Sequence, residues 1–115
     1  MRFMAMIKAT KDYEAGKPPN PELMAAMGRL SEEMQKLGKF EMGGGLLPTS
    51  QGHKVSMSGG KVSVTDGPFT ETKEVVGGFF LLDCTREQAL AAATECPAAE
   101  YATIEVREVG PCWER

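Results

Sequence analysis

The chain has 115 residues, of which 42% are hydrophobic and 25% charged, the size and composition of one ordinary globular domain with a single core. Its 13 Lys and Arg stand against 16 Asp and Glu, a formal net charge of -3 scattered along the chain. Nucleic-acid binding by counterion release needs a basic stripe, so nucleic acid is not an expected partner. The apolar opening Met1 to Ile7 meets Lys8 and Lys11 too soon for a signal peptide, and no run approaches the roughly 18 apolar residues of a transmembrane helix. One cytoplasmic domain spanning residues 1–115, without membrane association, is the expectation.

Residues 2–9 are apolar on both alternating faces until Lys8, as in an interior strand covered on two sides. A polar, proline-rich connection follows, and Asn20-Pro21 with Glu22 predicts a helix start. Leu23, Met27, Leu30, Met34 and Leu37 then recur at spacings of four and three, one stripe of a helix that Gly38 can close with a left-handed cap. The thioethers of this stripe read as adaptable core packing. Residues 39–47 are strand-like but interrupted by Gly43-Gly44-Gly45, which suggests a bulge or a close approach by another backbone or ligand. The triplet lacks the spacing of a phosphate loop, and no helix begins directly after it.

Lys54 to Ser58 and Lys61 to Thr65 flank Gly59-Gly60, a two-residue hairpin turn that pairs Met57 with Val62 and Val55 with Val64. That face is expected to be core and the Ser56 and Ser63 face wet. Gly77 to Asp83 is a second continuously apolar strand, Thr85 to Gln88 a capping box, and Cys96-Pro97 a helix stop. Tyr101 to Val109 alternates, with Ala102, Ile104 and Val106 on one face and Thr103, Glu105 and Arg107 on the other. The order is that of an α+β fold, a ferredoxin-like βαββαβ layout with an inserted β-hairpin, whose helices cover one face of the sheet.

The segment Val64-Thr65-Asp66-Gly67-Pro68-Phe69-Thr70-Glu71-Thr72-Lys73-Glu74, followed by Gly77-Gly78-Phe79, resembles the signature of the YCII-related (DGPF) family. Met6-Ile7-Lys8-Ala9-Thr10, Gly45-Leu46-Leu47-Pro48, Cys96-Pro97 and Ile104-Glu105-Val106-Arg107 extend the resemblance over most of the chain. The resemblance implies a dimeric α+β barrel, in which two sheets pack face to face around a cavity. A homodimer is therefore expected, with a small-molecule ligand in that cavity. The pattern is interrupted at Gly43-Gly44-Gly45, where relatives often carry a glutamate. Better studied members resemble enzymes with a His and Asp pair, but His53, the only histidine, reads here as part of a polar loop and does not map onto theirs.

Asp66 leads the candidate catalytic residues, since a carboxylate between a strand end and Gly67-Pro68 could serve as a general base or bind a cationic group; alternatively it caps its own turn. Glu74 is an acid or base candidate and His53 a proton carrier, against the reading of both as solvated loop residues. Lys73, Arg107, Glu105 and Phe69 are the substrate-binding candidates; Glu71 and Lys73 are otherwise loop charges, and Glu105 with Arg107 otherwise an interface salt bridge. Cys84, Cys96 and Cys112 are odd in number and widely spaced, which argues against a disulfide framework or zinc site and for packing thiols. No metal and no cofactor is expected. Two functions fit: a small cofactor-independent lyase, isomerase or hydrolase acting on a polar or aromatic compound, or a non-catalytic metabolite-binding or regulatory module.

Overall fold

Apolar residues on both faces of a strand demand cover on both sides, and the first strand, β1 (Arg2–Lys8), is central. The computed structural model describes residues 1–18, 21–69, 75–100 and 102–110. After β1 come a short helix α1 (Lys11–Glu14), the long helix α2 (Pro21–Lys36), strand β2 (Phe40–Gly45) and a 3-10 turn at Thr49–Gln51. The hairpin strands β3 (His53–Ser58) and β4 (Lys61–Asp66) follow, then β5 (Val76–Asp83), helix α3 (Arg86–Glu95), a second 3-10 turn (Pro97–Glu100) and β6 (Ile104–Glu108). The main sheet has the order β2-β5-β1-β6 and is antiparallel throughout, the ferredoxin-like arrangement. Strands β3 and β4 pair only with each other.

Strand register decides which residues meet the helices. Phe3 lies opposite Leu82, Ala5 opposite Phe80 and Val106, and Ile7 opposite Ile104. These form the helix-facing side, where Phe3, Leu82, Ala89 and Ala92 are buried and Met34, Phe40, Phe80 and Val106 pack against them. Phe40 and Phe80 meet edge to face at 5.9 Å, a geometry aromatic quadrupoles favour. Helix α3 starts on the Thr85 and Gln88 capping box. Helix α2 ends in a Schellman motif: Gly38 (φ 70°) and Lys39 return their amides to Gln35 and Met34. The Cys96 thiol contacts the Met27 sulfur at 3.5 Å and ties α2 to the end of α3. Burial pushes the Cys96 and Cys84 thiols up, the behaviour of packing cysteines rather than nucleophiles; Cys112 lies outside the described residues.

The fold departs from the sequence reading in five places. Leu37 is 64% exposed, because the helix ends at Lys36 and the cap turns it outward. The irregularity of β2 falls between Phe40 and Met42, not at the glycines. Gly43 instead permits close packing, since a Cβ there would sit 2.9 Å from the Phe80 ring. The connection after β1 holds a helical turn, capped by the Thr10 hydroxyl accepting the Tyr13 amide. His53 is not in a loop but is the first residue of β3. The apolar face of the hairpin is not core: Val55, Met57, Val62 and Val64 are 59–70% exposed, because no other element of the chain lies over them.

Three loops are locked together beside β5. The Tyr13 hydroxyl donates to the Leu46 carbonyl, and the Leu46 amide donates to Gly77 O at 2.9 Å. The Glu14 carboxylate accepts both the Thr49 amide (2.9 Å) and the Thr49 hydroxyl, and that hydroxyl oxygen accepts the Phe69 amide at 3.0 Å. Gly67 donates to Gly52 O and lies so close to the 3-10 turn that a Cβ would fall 1.6 Å from Thr49 O. The Asp66-Gly67-Pro68-Phe69 segment is thus held by Thr49, which is itself held by Glu14.

Replacing Leu82 by Ala should cost about 2 to 5 kcal/mol, read as a lower urea midpoint with unchanged slope. Thr49→Val leaves the Phe69 amide and the Glu14 carboxylate without their partner and should cost about 1 kcal/mol or more. Faster amide exchange confined to residues 49–52 and 66–69 would accompany it, and Thr49→Ser should restore protection.

Candidate functional site

The two-residue turn Gly59-Gly60, with φ of 57° and 79°, fixes which residues oppose each other along the hairpin. From Ser58 and Lys61 the pairing runs through Met57 and Val62, Ser56 and Ser63, Val55 and Val64, and Lys54 and Thr65, and ends on His53 and Asp66. There the imidazole Nδ1 lies 2.7 Å from Asp66 Oδ1. Of the readings open for Asp66, the side chain engages His53 rather than its own turn. A carboxylate on Nδ1 fixes that nitrogen as the donor and leaves Nε2 as the acceptor. No protein partner of Nε2 occurs among the described residues. Both side chains are largely exposed in the single chain, at 62% and 78%.

Alternation puts His53 and Asp66 on the same side of the hairpin as Val55, Val64, Met57 and Val62, and Lys54 on the other. On that second side an open cleft of about 680 Å³ runs between the hairpin base and the turn after β2. Leu46, Leu47, Val75, Val76 and Phe69 supply its apolar wall, and Thr49, Gln51 and Lys54 its polar groups. The Lys54 ammonium stands 4.2 Å from the Phe69 ring centroid, a cation–π contact. Phe69, a candidate from sequence, therefore belongs to this cleft, which His53 and Asp66 do not line.

Glu105 and Arg107 fall on the sheet face away from the helices, as their alternation with Ile104 and Val106 requires. The sequence reading missed their third member, Lys8. Its ammonium lies 3.1 Å from Glu105 Oε1, while Arg107 Nε lies 2.8 Å from Oε2. The Lys8 hydrogen bond, with the charges of Arg107 and Lys8, holds the Glu105 carboxyl below its ordinary range. On the same face are Met4, Met6, Phe79 and Leu81, all half-buried with no helix above them. Lys73, Glu71 and Glu74 lie outside the described residues.

Tyr13, Glu14 and Thr49 were also missed, and they hold the site rather than form it. A signal for α1 existed in Thr10 as a cap and Gly16, at φ 84°, as a stop. Among the described residues no group of three His, Cys, Asp or Glu could hold a metal ion, and no helix is long and apolar enough to cross a membrane.

The fold resembles that of a solved 5-chloro-2-hydroxyhydroquinone dehydrochlorinase of Burkholderia phenoliruptrix AC1100, in complex with 2,5-dihydroxybenzoquinone. The TM-score is 0.57 at 16% identity, over 96% of this chain and 94% of that one. By sequence, the chain is 37% identical over 81 residues to an uncharacterised protein of Rhizobium meliloti (strain 1021). That match spans 70% of this chain and 63% of the relative's length. The model of the YCII-related domain matches residues 1–112, and the chain belongs to that family.

Proposed function

We propose that the protein is a small cofactor-independent enzyme, working as a homodimer, in which the His53 and Asp66 pair moves a proton on a small polar or aromatic compound. The observation that carries this reading is the 2.7 Å contact between His53 Nδ1 and Asp66 Oδ1 at the end of a hairpin whose register admits no other pairing. Asp66 orients the imidazole, and Nε2 accepts the proton. Asp66 alone is the less apt base, because its carboxylate is already engaged with the ring. Arg107 on the open sheet face, with Lys73, is the candidate to hold a carboxylate or enolate. A base as exposed as His53 is in one chain works in bulk water, so the reading includes a second copy that covers it. The dehydrochlorinase whose fold is similar supplies a first substrate class to try, chlorinated and hydroxylated quinols.

Incubation with such a panel, followed by absorbance and chloride release, tests the assignment. His53→Gln and Asp66→Asn should each lower turnover about 10²-fold to 10⁴-fold with the circular dichroism spectrum unchanged. Turnover that survives both substitutions removes the pair from the chemistry. The glycine triplet, where relatives often carry a carboxylate, favours the other reading, a non-catalytic metabolite-binding or regulatory module. A compound recovered with the protein and unaltered after long incubation would decide for it.

The Glu105 charges give an independent check. A carboxyl held low in the folded chain contributes stability that is present above the ordinary carboxylate range and lost as pH falls through the lowered value. In a carbon-detected NMR titration Glu105 should titrate below the other exposed carboxylates, and Lys8→Met should move its midpoint up towards them.

A further inference from the structure

The chain is a slab, 48 × 42 × 18 Å. Its radius of gyration is 15.9 Å, whereas a compact domain of this length has one of roughly 13 Å. Helices and sheet make two layers, and two apolar surfaces remain uncovered. One is the hairpin face with Val55, Met57, Val62 and Val64, ending on His53 and Asp66. The other is the open sheet face with Met4, Met6, Phe79 and Leu81, edged by Lys8, Glu105 and Arg107. We infer that each surface is the other's cover across a two-fold axis: the hairpin of one protomer lies over the open sheet face of its partner, and the partner's Arg107 completes the site at His53 and Asp66.

This inference rests on the homodimer and the His53 and Asp66 pair proposed above, and adds where the remaining charge comes from. Three arguments select the crossed arrangement. Packing hairpin on hairpin would bury one apolar surface and leave Met4, Met6, Phe79 and Leu81 in water, and sheet on sheet alone would strand the hairpins; only the crossed arrangement covers both. A two-fold axis repeats it and closes the dimer without a free end. Charge agrees as well: Lys8, Glu105 and Arg107 sum to a net positive group, which suits the Asp66 carboxylate and an anionic substrate held between the two. Area is sufficient, because a stable interface takes roughly 800 Å² from each partner and the slab face measures 48 × 42 Å.

The test is site-specific photocrosslinking of the full chain, with benzoylphenylalanine in place of Val64, followed by peptide mapping of the covalent dimer. Crosslinks to the partner's residues 4–8, 79–81 or 103–107 are expected. Crosslinks only between the two hairpins, or a monomer at micromolar concentration by sedimentation, would overturn the inference. Mixed dimers of His53→Gln with Arg107→Met provide the functional arm. Each variant alone should be nearly inactive, and random mixing should restore about a quarter of the activity, since half the dimers then hold one intact shared site of two. No recovery places Arg107 in the same protomer's site and overturns the shared one. The two failures are separable: hairpin-to-hairpin crosslinks with an inactive His53→Gln variant sink the shared site alone, while the expected crosslinks with a fully active His53→Gln variant sink the catalytic pair alone.

Discussion

The structure depends on the register of one hairpin. A two-residue turn with both φ positive opposes residues at equal distance from it, so the spacing from Gly59-Gly60 outwards is also the address of every side chain on β3 and β4. His53 meets Asp66 because each is the sixth residue from the turn. A slip of one position would set the imidazole against Thr65 or Gly67 and would turn the apolar residues to the opposite face. The proton chemistry proposed for this protein is therefore fixed by backbone geometry before any side chain packs.

Register alone does not fix where the hairpin points, and that is the work of the three-loop junction. Glu14, Thr49 and the Phe69 amide form a directed chain of hydrogen bonds, in which the carboxylate takes the Thr49 hydroxyl proton and frees that oxygen to accept Phe69. Tyr13 adds a second tie to Leu46. The first helical turn of the protein, far from the hairpin in sequence, thereby anchors both the entry to β3 and the exit from β4. The single-sided sheet is the complementary constraint: helices cover the side with Phe3, Leu82 and Phe80, and leave a second surface of mixed apolar and charged residues.

Much of this was legible in the residues. The two continuously apolar stretches became the paired central strands β1 and β5, and Thr85, Gly38 and Gly59-Gly60 acted as cap, stop and turn because each does so through local backbone geometry. The site was partly legible. Opposing Val55 to Val64 already implies His53 opposite Asp66, two residues on, but the polar run Gln51-Gly52-His53-Lys54 carries no hydrophobic alternation, so the strand seemed to begin one residue late. Helix α1 has four residues, too few to show a period, and Glu14 and Thr49 met only through tertiary structure. Alternation in the hairpin showed that one face wanted cover; it could not show that the cover would be missing from the chain itself.

The crowding at Gly67 has a consequence for how this family of sequences can vary. Between Asp66 and Pro68 there is no room for even a methyl group, and the obstacle is the Thr49 carbonyl, a backbone atom that no side-chain change can trim away. The glycine is thus dictated by the path of a different turn. Drift in the 3-10 turn and drift in the loop after β4 are coupled, so these two stretches can diverge only as a unit, while the hairpin tip at Gly59-Gly60, with nothing packed against it, is free to lengthen or change on its own.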